Sequence, residues 1–595
     1  MPVDIYGIGL SGLNAAQGGL SVIGNNIANV NTPGYNRQVV NLSNRSPLGF
    51  GSSFFGTGVD LNSVSRVYDK YLTQQVQNAS TQNSSYQSQL TFLNQLDSAM
   101  SDSSSGLSSS LQSFYSSLQS LSSQPSSAPS RQSVISMGQA LATKFQSIDS
   151  RLTELHNGIN SQITSSVGSV NGLVDTISKL NQQITALSGQ GAPNDLMDQR
   201  DQAVSQLNQQ VGVSVIVQTD GSYSVFLSSG QALVQGNSAN HLATQPDPAN
   251  PQDVQLTLAS PNGTNTVIGT NSLNGGTLGG LFTVRDGALK NAQTQLGNMA
   301  IDFSTAMNYQ SELGVDLNGN AGGPMFTDLT GYVNNPAAAT QNLQMLITDP
   351  QKLPMASNLQ LQGNATSNGV ALTGVSSTLP GNYGWTAGPP LTAPSAANHP
   401  SNIGAGGSIV IDGTTMQATI NGGPANGTVY NIVADPTVTN GYKLVTTAAP
   451  VTDAGIQFKL SAQLSAGVSF TVVQNTAPIG TGDNGNLLSI ANLQTAPIVN
   501  TGVRGAAGNS MASVQSFYAT LVSTVGSTTN QVQSASTAQS NTLQQVTNAQ
   551  QSVSGVNLDE EATNLLKYQQ AYQASSKLIT IAQQMFQSLL AIGSA

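Results

Sequence analysis

Both ends of the chain carry the same apolar spacing, and this constrains the fold more than anything between them. After Tyr6, the residues Leu13, Ala16, Leu20, Ile23, Ile27 and Val30 follow at intervals of three and four, lining one face of a helix with apolar side chains. That helix is expected to stop at Asn31-Thr32-Pro33-Gly34, because proline disfavours helix in the residue before it and Pro-Gly suits the centre of a type II turn. At the far end Leu565, Tyr568, Tyr572, Ser575, Ile579, Ala582, Phe586 and Leu589 repeat the spacing. They follow a helix start at Asn557, with Asp559, Glu560 and Glu561 in the first turn. Two such helices are expected to pair as a coiled coil. Gly9, Gly12, Gly18, Gly19 and Gly24 lie within the first helix, and each costs about 1 kcal/mol relative to alanine. Lacking side chains, they let another helix approach closely. A two-helix ribbon leaves flanking residues such as Leu578, Met585 and Ile592 exposed, and neighbouring copies are their natural cover.

The middle of the chain alternates between helical and extended patterns. Leu141, Phe145, Ile148, Leu152, Leu155, Ile159, Gln162, Ser166, Val170, Leu173, Ile177, Leu180, Ile184 and Leu187 form a 4,3 series in which 12 of 14 positions are apolar. A helix of that length reaches about 70 Å, which reads as a rod. The serine-rich stretch 101–123 keeps the same spacing through Leu107, Leu111, Phe114, Leu118 and Leu121, so it too is predicted helical, up to Pro125 and Pro129. Further helices are expected over 281–313 and from 511 to about 550. The runs VSVIVQ and YSVFL, separated by Asp220-Gly221, signal a β-hairpin that opens a β domain. A second β region, 345–479, is rich in Gly, Pro and Thr and has strand-like runs at 408–411, 416–420, 442–447 and 468–473. The expected fold is multidomain α plus β: paired terminal helices, a long helical-bundle rod and inserted antiparallel β domains. The expected boundaries are 1–60 with 556–595 for the terminal helical domain, 61–205 with 281–344 and 480–555 for the rod, and 206–280 and 345–479 for the two β domains.

Composition excludes several classes of function. Charged residues make up 7% of the 595, against about 25% in ordinary soluble domains. A net charge of -10 is the wrong sign for a phosphate-binding surface, so neither nucleic acid nor an anionic membrane is an expected partner. There is no cysteine, which removes disulfides and thiolate chemistry. Residues 1–19 contain neither Lys nor Arg and lack the form of a cleaved signal peptide.

His156, His241 and His399 are too scattered to make a metal site by helical spacing, and no zinc-protease, phosphate-loop or nucleophile-elbow motif is found. Asp316-Leu317-Asn318-Gly319-Asn320 opens like a calcium loop. It then has Ala321 where the loop needs glycine and Thr327 where it needs glutamate, so a simple turn is expected. In Asn194-Asp195-Leu196-Met197-Asp198-Gln199-Arg200-Asp201 the expectation is an acidic first helical turn, with Asp195 or Asp198 pairing with Arg200. No catalytic residue, metal ligand or cofactor is assigned.

The run Gly9-Leu10-Ser11-Gly12-Leu13-Asn14-Ala15, followed by Asn25-Asn26-Ile27-Ala28-Asn29-Val30-Asn31-Thr32-Pro33-Gly34-Tyr35, resembles the N-terminal signature of flagellar rod, hook and hook-associated proteins. With Val64-Ser65-Arg66-Val67-Tyr68-Asp69-Lys70-Tyr71-Leu72, residues 194–201, Gly482-Asp483-Asn484-Gly485-Asn486 and Tyr568-Gln569-Gln570-Ala571-Tyr572-Gln573-Ala574, the chain is similar to the FlgK family of hook–filament junction proteins. The resemblance implies a structural, non-enzymatic subunit exported unfolded without a cleaved signal, extracellular, and self-assembled in the flagellar axis. It implies the hook protein and the next hook-associated protein as neighbours, and an export chaperone on the C-terminal helix. It also implies that the terminal seams form the inner assembly surface, with the β domains facing outward. The region 345–479 is not covered by it. The alternative reading is a secreted adhesin or host-facing surface protein with β ligand-binding domains on a helical stalk.

Overall fold

A computed structural model describes residues 5–593, apart from 51–52, 102–105, 188, 190, 260–264, 271–272, 364–365, 382, 387–391, 477–481, 503 and 505–509. The helices are α1 (Ile5–Ala28), α2 (Lys70–Met100), α3 (Leu107–Ser123), α4 (Ala128–Ala186), α5 (Asn194–Gln210), α6 (Gly276–Thr283), α7 (Lys290–Glu312), α8 (Gly485–Asn492), α9 (Val514–Ser554) and α10 (Leu558–Gly593). The helix expected over 281–313 is built from α6 and α7, joined by a π-helical segment Val284–Leu289. The contacts divide the chain into two units, Met1–Phe92 with Asn157–Arg285 and Asn530–Ala595, and Leu93–His156 with Asp286–Thr529.

In the first unit α1 ends where the turn residues demand. Gly34 has φ +81°, and the Tyr35 N–H donates to Thr32 O at 3.2 Å, closing the Thr32–Tyr35 turn. Strands β1 (Gln38–Asn44) and β4 (Val59–Arg66) pair antiparallel and carry the smaller hairpin of β2 (Leu48–Phe50) and β3 (Ser53–Phe55). The first β domain is a meander of β5 (Val213–Val217), β6 (Tyr223–Leu227), β7 (Ala232–Gln235), β8 (Ser238–Ala239), β9 (His241–Pro246), β10 (Val254–Ala259) and β11 (Asn265–Ile268). Gly221, at φ +82°, makes the β5–β6 turn, and the Asp220 carboxylate accepts the Ser222 N–H at 2.9 Å.

A polar row on α4 holds this sheet. Asn160 donates to Gln252 O, Asn171 to Leu242 O, Ser178 to Asn237 O and Asn181 to both Tyr223 O and Gly236 O, all within 2.9 Å. The apolar seam of α4 departs from a strict 4,3 series in this unit: Gln162 is exposed, and Ile163, Val167 and Val174 are buried instead. A straight helix drifts relative to a 3.5-residue repeat, so the buried stripe moves by a residue along its length.

In the second unit Leu107, Leu111, Phe114, Leu118 and Leu121 of the serine-rich segment are all buried, as their spacing predicts. Its residues 102–105 lie outside the described residues. Phe114, Phe145, Phe303 and Phe326 join α3, α4 and α7 in one aromatic cluster, with ring centroids 5.1–6.4 Å apart. Strand β12 (Gly314–Val315) pairs with β13 (Ala356–Ser357), which lies inside 345–479 but outside the main sheet of that region.

That region is one antiparallel sheet of nine strands. They are β14 (Leu359–Leu361), β15 (Thr366–Ser367), β16 (Val370–Ser377), β17 (Ser408–Asp412), β18 (Gln417–Asn421), β19 (Val429–Asp435), β20 (Gly441–Thr446), β21 (Asp453–Leu460) and β22 (Ser469–Gln474), in the spatial order β14-β22-β17-β18-β19-β20-β21-β16-β15. The four runs read from sequence correspond to β17, β18, β20 and β22. Three contacts tie this sheet and its loops to α7: the buried bond from Gln310 Nε2 to Ser377 O at 2.9 Å, the Tyr309 ring against Tyr383, and Trp385 Nε1 to the Asp302 carboxylate at 3.0 Å.

His399 sits beside this junction, its ring edge-on to Tyr309. Nδ1 accepts the Ser401 N–H at 3.1 Å, which leaves Nε2 to donate to Thr378 O at 3.0 Å. Burial, only partly opposed by the bond to Thr378, pulls its pKa down from 6.5 to about 4. Between those values the unfolded chain binds a proton that the folded chain refuses. Stability is therefore lost as the pH falls through this window, by roughly 3 kcal/mol at its foot. His399→Gln is expected to remove that part of the acid sensitivity, read as a smaller shift in urea midpoint between pH 7 and pH 4.5 than in the unmodified chain.

Candidate functional site

The terminal helices pair through glycine. A Cβ added at Gly9 would lie 2.9 Å from Ile579 Cγ1, one at Gly12 2.7 Å from Ser575 Oγ, and one at Gly19 2.5 Å from the Tyr568 ring. Gly18 instead receives Leu61 of β4, and Gly24 meets nothing. The line of close approach on α1 is thus Gly9, Gly12 and Gly19, at the same 3,4 spacing that places Ala16 and Ile23 on that face. Within the seam read from sequence, Ala16 and Ile23 are buried, whereas Leu13, Leu20, Ile27 and Val30 are half-buried. On α10, Leu565, Tyr568, Ile579 and Ala582 are half-buried, Tyr572 and Phe586 are exposed, and the side chains of Leu589 and Ile592 lie outside the described residues. Tyr568, Ser575 and Ile579 are brought onto α1. Leu566, Leu578, Ile581, Met585 and Phe586 face outward, Phe586 with 64% of its surface accessible.

At the base of this pair, three of the motif segments converge in one polar joint. Asn26, buried in α1, donates to Gln38 O and accepts the Gln38 N–H, both at 2.9 Å, and accepts the Tyr35 hydroxyl at 2.8 Å. Burial, reinforced by Asp195, Asp198 and Glu561, pushes the Tyr35 phenol well above its ordinary range, which keeps it a neutral donor.

Arg66, on β4, reaches Asp198 at 2.5 Å and Asp201 at 2.9 Å, with all three side chains largely buried. Burial opposes the Arg66 charge, but Asp201 and Asp198 together outweigh it and hold the guanidinium protonated. Asn36 donates to Asp198 from its backbone and its side chain, Gln38 to Asp195, and Asn194 to Val64 O. Arg37 binds Glu560 at 2.5 Å and donates its N–H to Ser554 O at 2.9 Å, which fixes the elbow between α9 and α10. Asn557 caps α10 by accepting the Asp559 N–H at 3.0 Å.

The expected pairing of Asp195 or Asp198 with Arg200 is not formed. Arg200 points the other way, stacks on Tyr223 at 3.4 Å from the ring centroid, and donates to Asn181 Oδ1 and Gly221 O. Helical neighbours lost to a partner 132 positions away, because Asp198 lies on the face of α5 that meets β4 while Arg200 lies on the face that meets the β5–β6 turn. Arg66 and Asn36 stand in or beside the motif segments, but nothing in their local spacing marks them as partners of Asp198.

Elsewhere, Asp316 Oδ1 accepts the N–H groups of Asn318 and Asn320, both at 2.8 Å, and so closes its own turn. His241 pairs with Asp175 at 2.9 Å. No described helix is long and apolar enough to cross a membrane.

Comparison with known proteins fits this arrangement. Residues 93–326 match the helical domain of the flagellar hook-associated protein FlgK, residues 8–36 the flagellar basal body rod protein family, and residues 549–592 the C-terminal domain of the flagellar rod FlgEFG proteins. The chain is 34% identical to flagellar hook-associated protein 1 of Salmonella typhimurium and 32% identical to that of Escherichia coli, over 98% of both chains in each case. The solved flagellar hook junction protein FlgK from Burkholderia pseudomallei superposes with a TM-score of 0.63 at 26% identity, covering 81% of this chain and all of that one. With about a third of its residues shared along nearly the whole length of its relatives, and the rod-protein signatures placed on the paired ends, this chain belongs to the FlgK family of flagellar hook-associated proteins.

Proposed function

We propose that this protein is a structural subunit that polymerises at the distal end of the hook and joins the hook to the filament, with the hook protein on one side and the next hook-associated protein on the other. The observation that carries this reading is the outward apolar face of α10. Leu578, Ile581, Met585 and Phe586 are all at least 41% exposed on a helix that is otherwise clamped to α1 and fixed at its elbow. A contiguous exposed apolar stripe asks for a partner, and in an axial assembly the neighbouring subunits supply it. Residues 1–60 with 556–595 act here as the assembly domain, 61–205 with 281–344 and 480–555 as the helical framework, and 206–280 and 345–479 as its β domains. The protein carries out no catalytic step. It reaches the cell exterior unfolded, and the same face of α10 is where an export chaperone binds beforehand. The glycines of α1 suit that route, since a helix weakened by about 1 kcal/mol at each of them unfolds readily.

Replacing Leu578 and Phe586 together by Asp tests the reading. Both side chains are already exposed, so the melting temperature of the soluble chain is expected to stay within a few degrees. A strain lacking the protein should make hooks without filaments when it expresses this variant, and normal filaments when it expresses the unmodified chain. Full motility with the double variant would remove the α10 face from the junction.

A further inference from the structure

The β domain of the first unit has two unguarded edges. Asn240, between β8 and β9, donates its N–H to Leu233 O, so β8 and β9 run on as one strand that pairs with β7 in its first part and with β10 in its second. The meander is therefore a six-strand alternation with β5 at one edge and β11 at the other. No described strand pairs with the outer side of either.

The register shows which groups point outward. Gln218 donates to Ser222 O, and antiparallel pairs alternate, so Ser214 and Ile216 bond to β6 while Val215 and Val217 turn their N–H and C=O away from the sheet. Asp247 donates to Asp253 O, and the same alternation carried across β10 turns Asn265 and Val267 of β11 outward. Exposed edges are ordinarily guarded by lysine, proline or a bulge. Here residues 211–219 and 265–268 contain neither charge nor proline, and Ile216, Val217 and Val267 are each more than half exposed.

We propose that β5 of one copy pairs with β11 of a second copy of this chain. An even number of alternating strands leaves the two edge strands running in opposite directions. Copies set side by side around an axis then meet β5 to β11 antiparallel, with no further rearrangement. A contact between unlike surfaces of identical copies propagates into a ring or helix rather than stopping at a dimer, which suits an axial subunit. One antiparallel register sets Val215 opposite Val267 and Val217 opposite Asn265, using both outward residues of β11; Val213, whose N–H already donates to Asn208 Oδ1 at 3.0 Å, stays outside the ladder. This register places Ile216 opposite Thr266 as a non-hydrogen-bonded pair, about 4.5 Å between Cα atoms and within reach of a disulfide. The inference rests on the axial assembly proposed above.

The chain contains no cysteine, so introduced thiols report alone. Ile216→Cys with Thr266→Cys is expected to give a ladder of covalent dimers, trimers and larger species after oxidation, both in isolated flagella and in purified full-length protein concentrated with ammonium sulfate. Adding Val217→Pro, which removes a donor at an edge where proline is tolerated, should abolish the ladder while the melting temperature stays near that of the double variant. Filament recovery by the unmodified chain reports on the junction reading, and the ladder reports on the strand pairing, so either can fail without the other. No ladder in either preparation overturns the pairing. Dimers from Ile216→Cys alone overturn it in favour of a twofold β5–β5 contact, and a cross-link to a different protein overturns it in favour of another partner.

Discussion

Arg66→Ala should cost the first unit about 3–5 kcal/mol, because it leaves Asp198 and Asp201 buried beside each other without their cation. Asn36 still donates to Asp198 and Tyr223 to Asp201, but hydrogen bonds do not cancel two like charges. The loss is expected as faster hydrogen exchange in β1, β4 and α5, amounting to at least a hundredfold for amides that exchange through opening of the joint. Arg66→Lys restores the charge but not the fork that reaches both carboxylates, so it should recover part of the protection. Acid offers a further check on the cause. Burial already holds the Asp198 carboxyl above the usual carboxylate range and Arg66 opposes that rise, so without Arg66 it rises further and protonating it relieves the folded state more than the unfolded one. The deficit should therefore shrink between pH 7 and pH 5. A deficit independent of pH, or equal in the Lys variant, would mean that the side chain matters for its packing and not for its charge. Because the joint holds β1, the elbow and α5 around the base of the terminal pair, filament attachment in cells is expected to fall with the same order of severity across the variants.

Asp302→Ala should cost the second unit a comparable amount. Asp302 is 1% exposed and accepts four bonds: from Trp385 Nε1, from Arg504 Nε and Nη2, and from the Asn500 N–H, at 2.9–3.0 Å. Removing it strands the Arg504 guanidinium, itself largely buried over the Trp385 ring, and leaves the indole N–H without its acceptor. Trp385 is the sole tryptophan of the chain, so its fluorescence reports the site directly. A urea transition shifted down by the equivalent of about 3–5 kcal/mol is expected. Replacing both partners, Asp302→Leu with Arg504→Met, should recover most of that loss, because no charge is then left buried alone. If the double variant is no more stable than Asp302→Ala, the ion pair is not what holds this corner. The same corner decides what removing 345–479 would do. That excision would take away Trp385, Tyr383 and Ser377 together and uncover Tyr309 on α7 and Leu313 just after it, so the second β region is bound to α7 by its own contacts and is not a free appendage.

The helices, their ends and the β-hairpin were legible in the sequence because each depends on near neighbours. A buried face forces apolar residues to recur every three or four positions, as in Leu107 to Leu121. A positive φ at Gly34 or Gly221 is set by the turn itself, and the cap of α10 needs nothing beyond Asn557 and the N–H two residues on. The motif segments pointed to the family for the same reason, since they are short and contiguous. Which groups meet was decided elsewhere. Asp198 and Arg200 stand two positions apart on α5 and so face different ways; the packing of α5 against β4 delivers Arg66 to Asp198 from 132 positions off, and Arg200 goes to Tyr223. The contact face of α1 is set by where the absence of side chains lets α10 come near, so the close line runs through Gly9, Gly12 and Gly19 and leaves Leu13 and Leu20 half-buried. Periodicity records that a side chain is buried. What buries it depends on distances between segments far apart along the chain, and those exist only once the chain has folded.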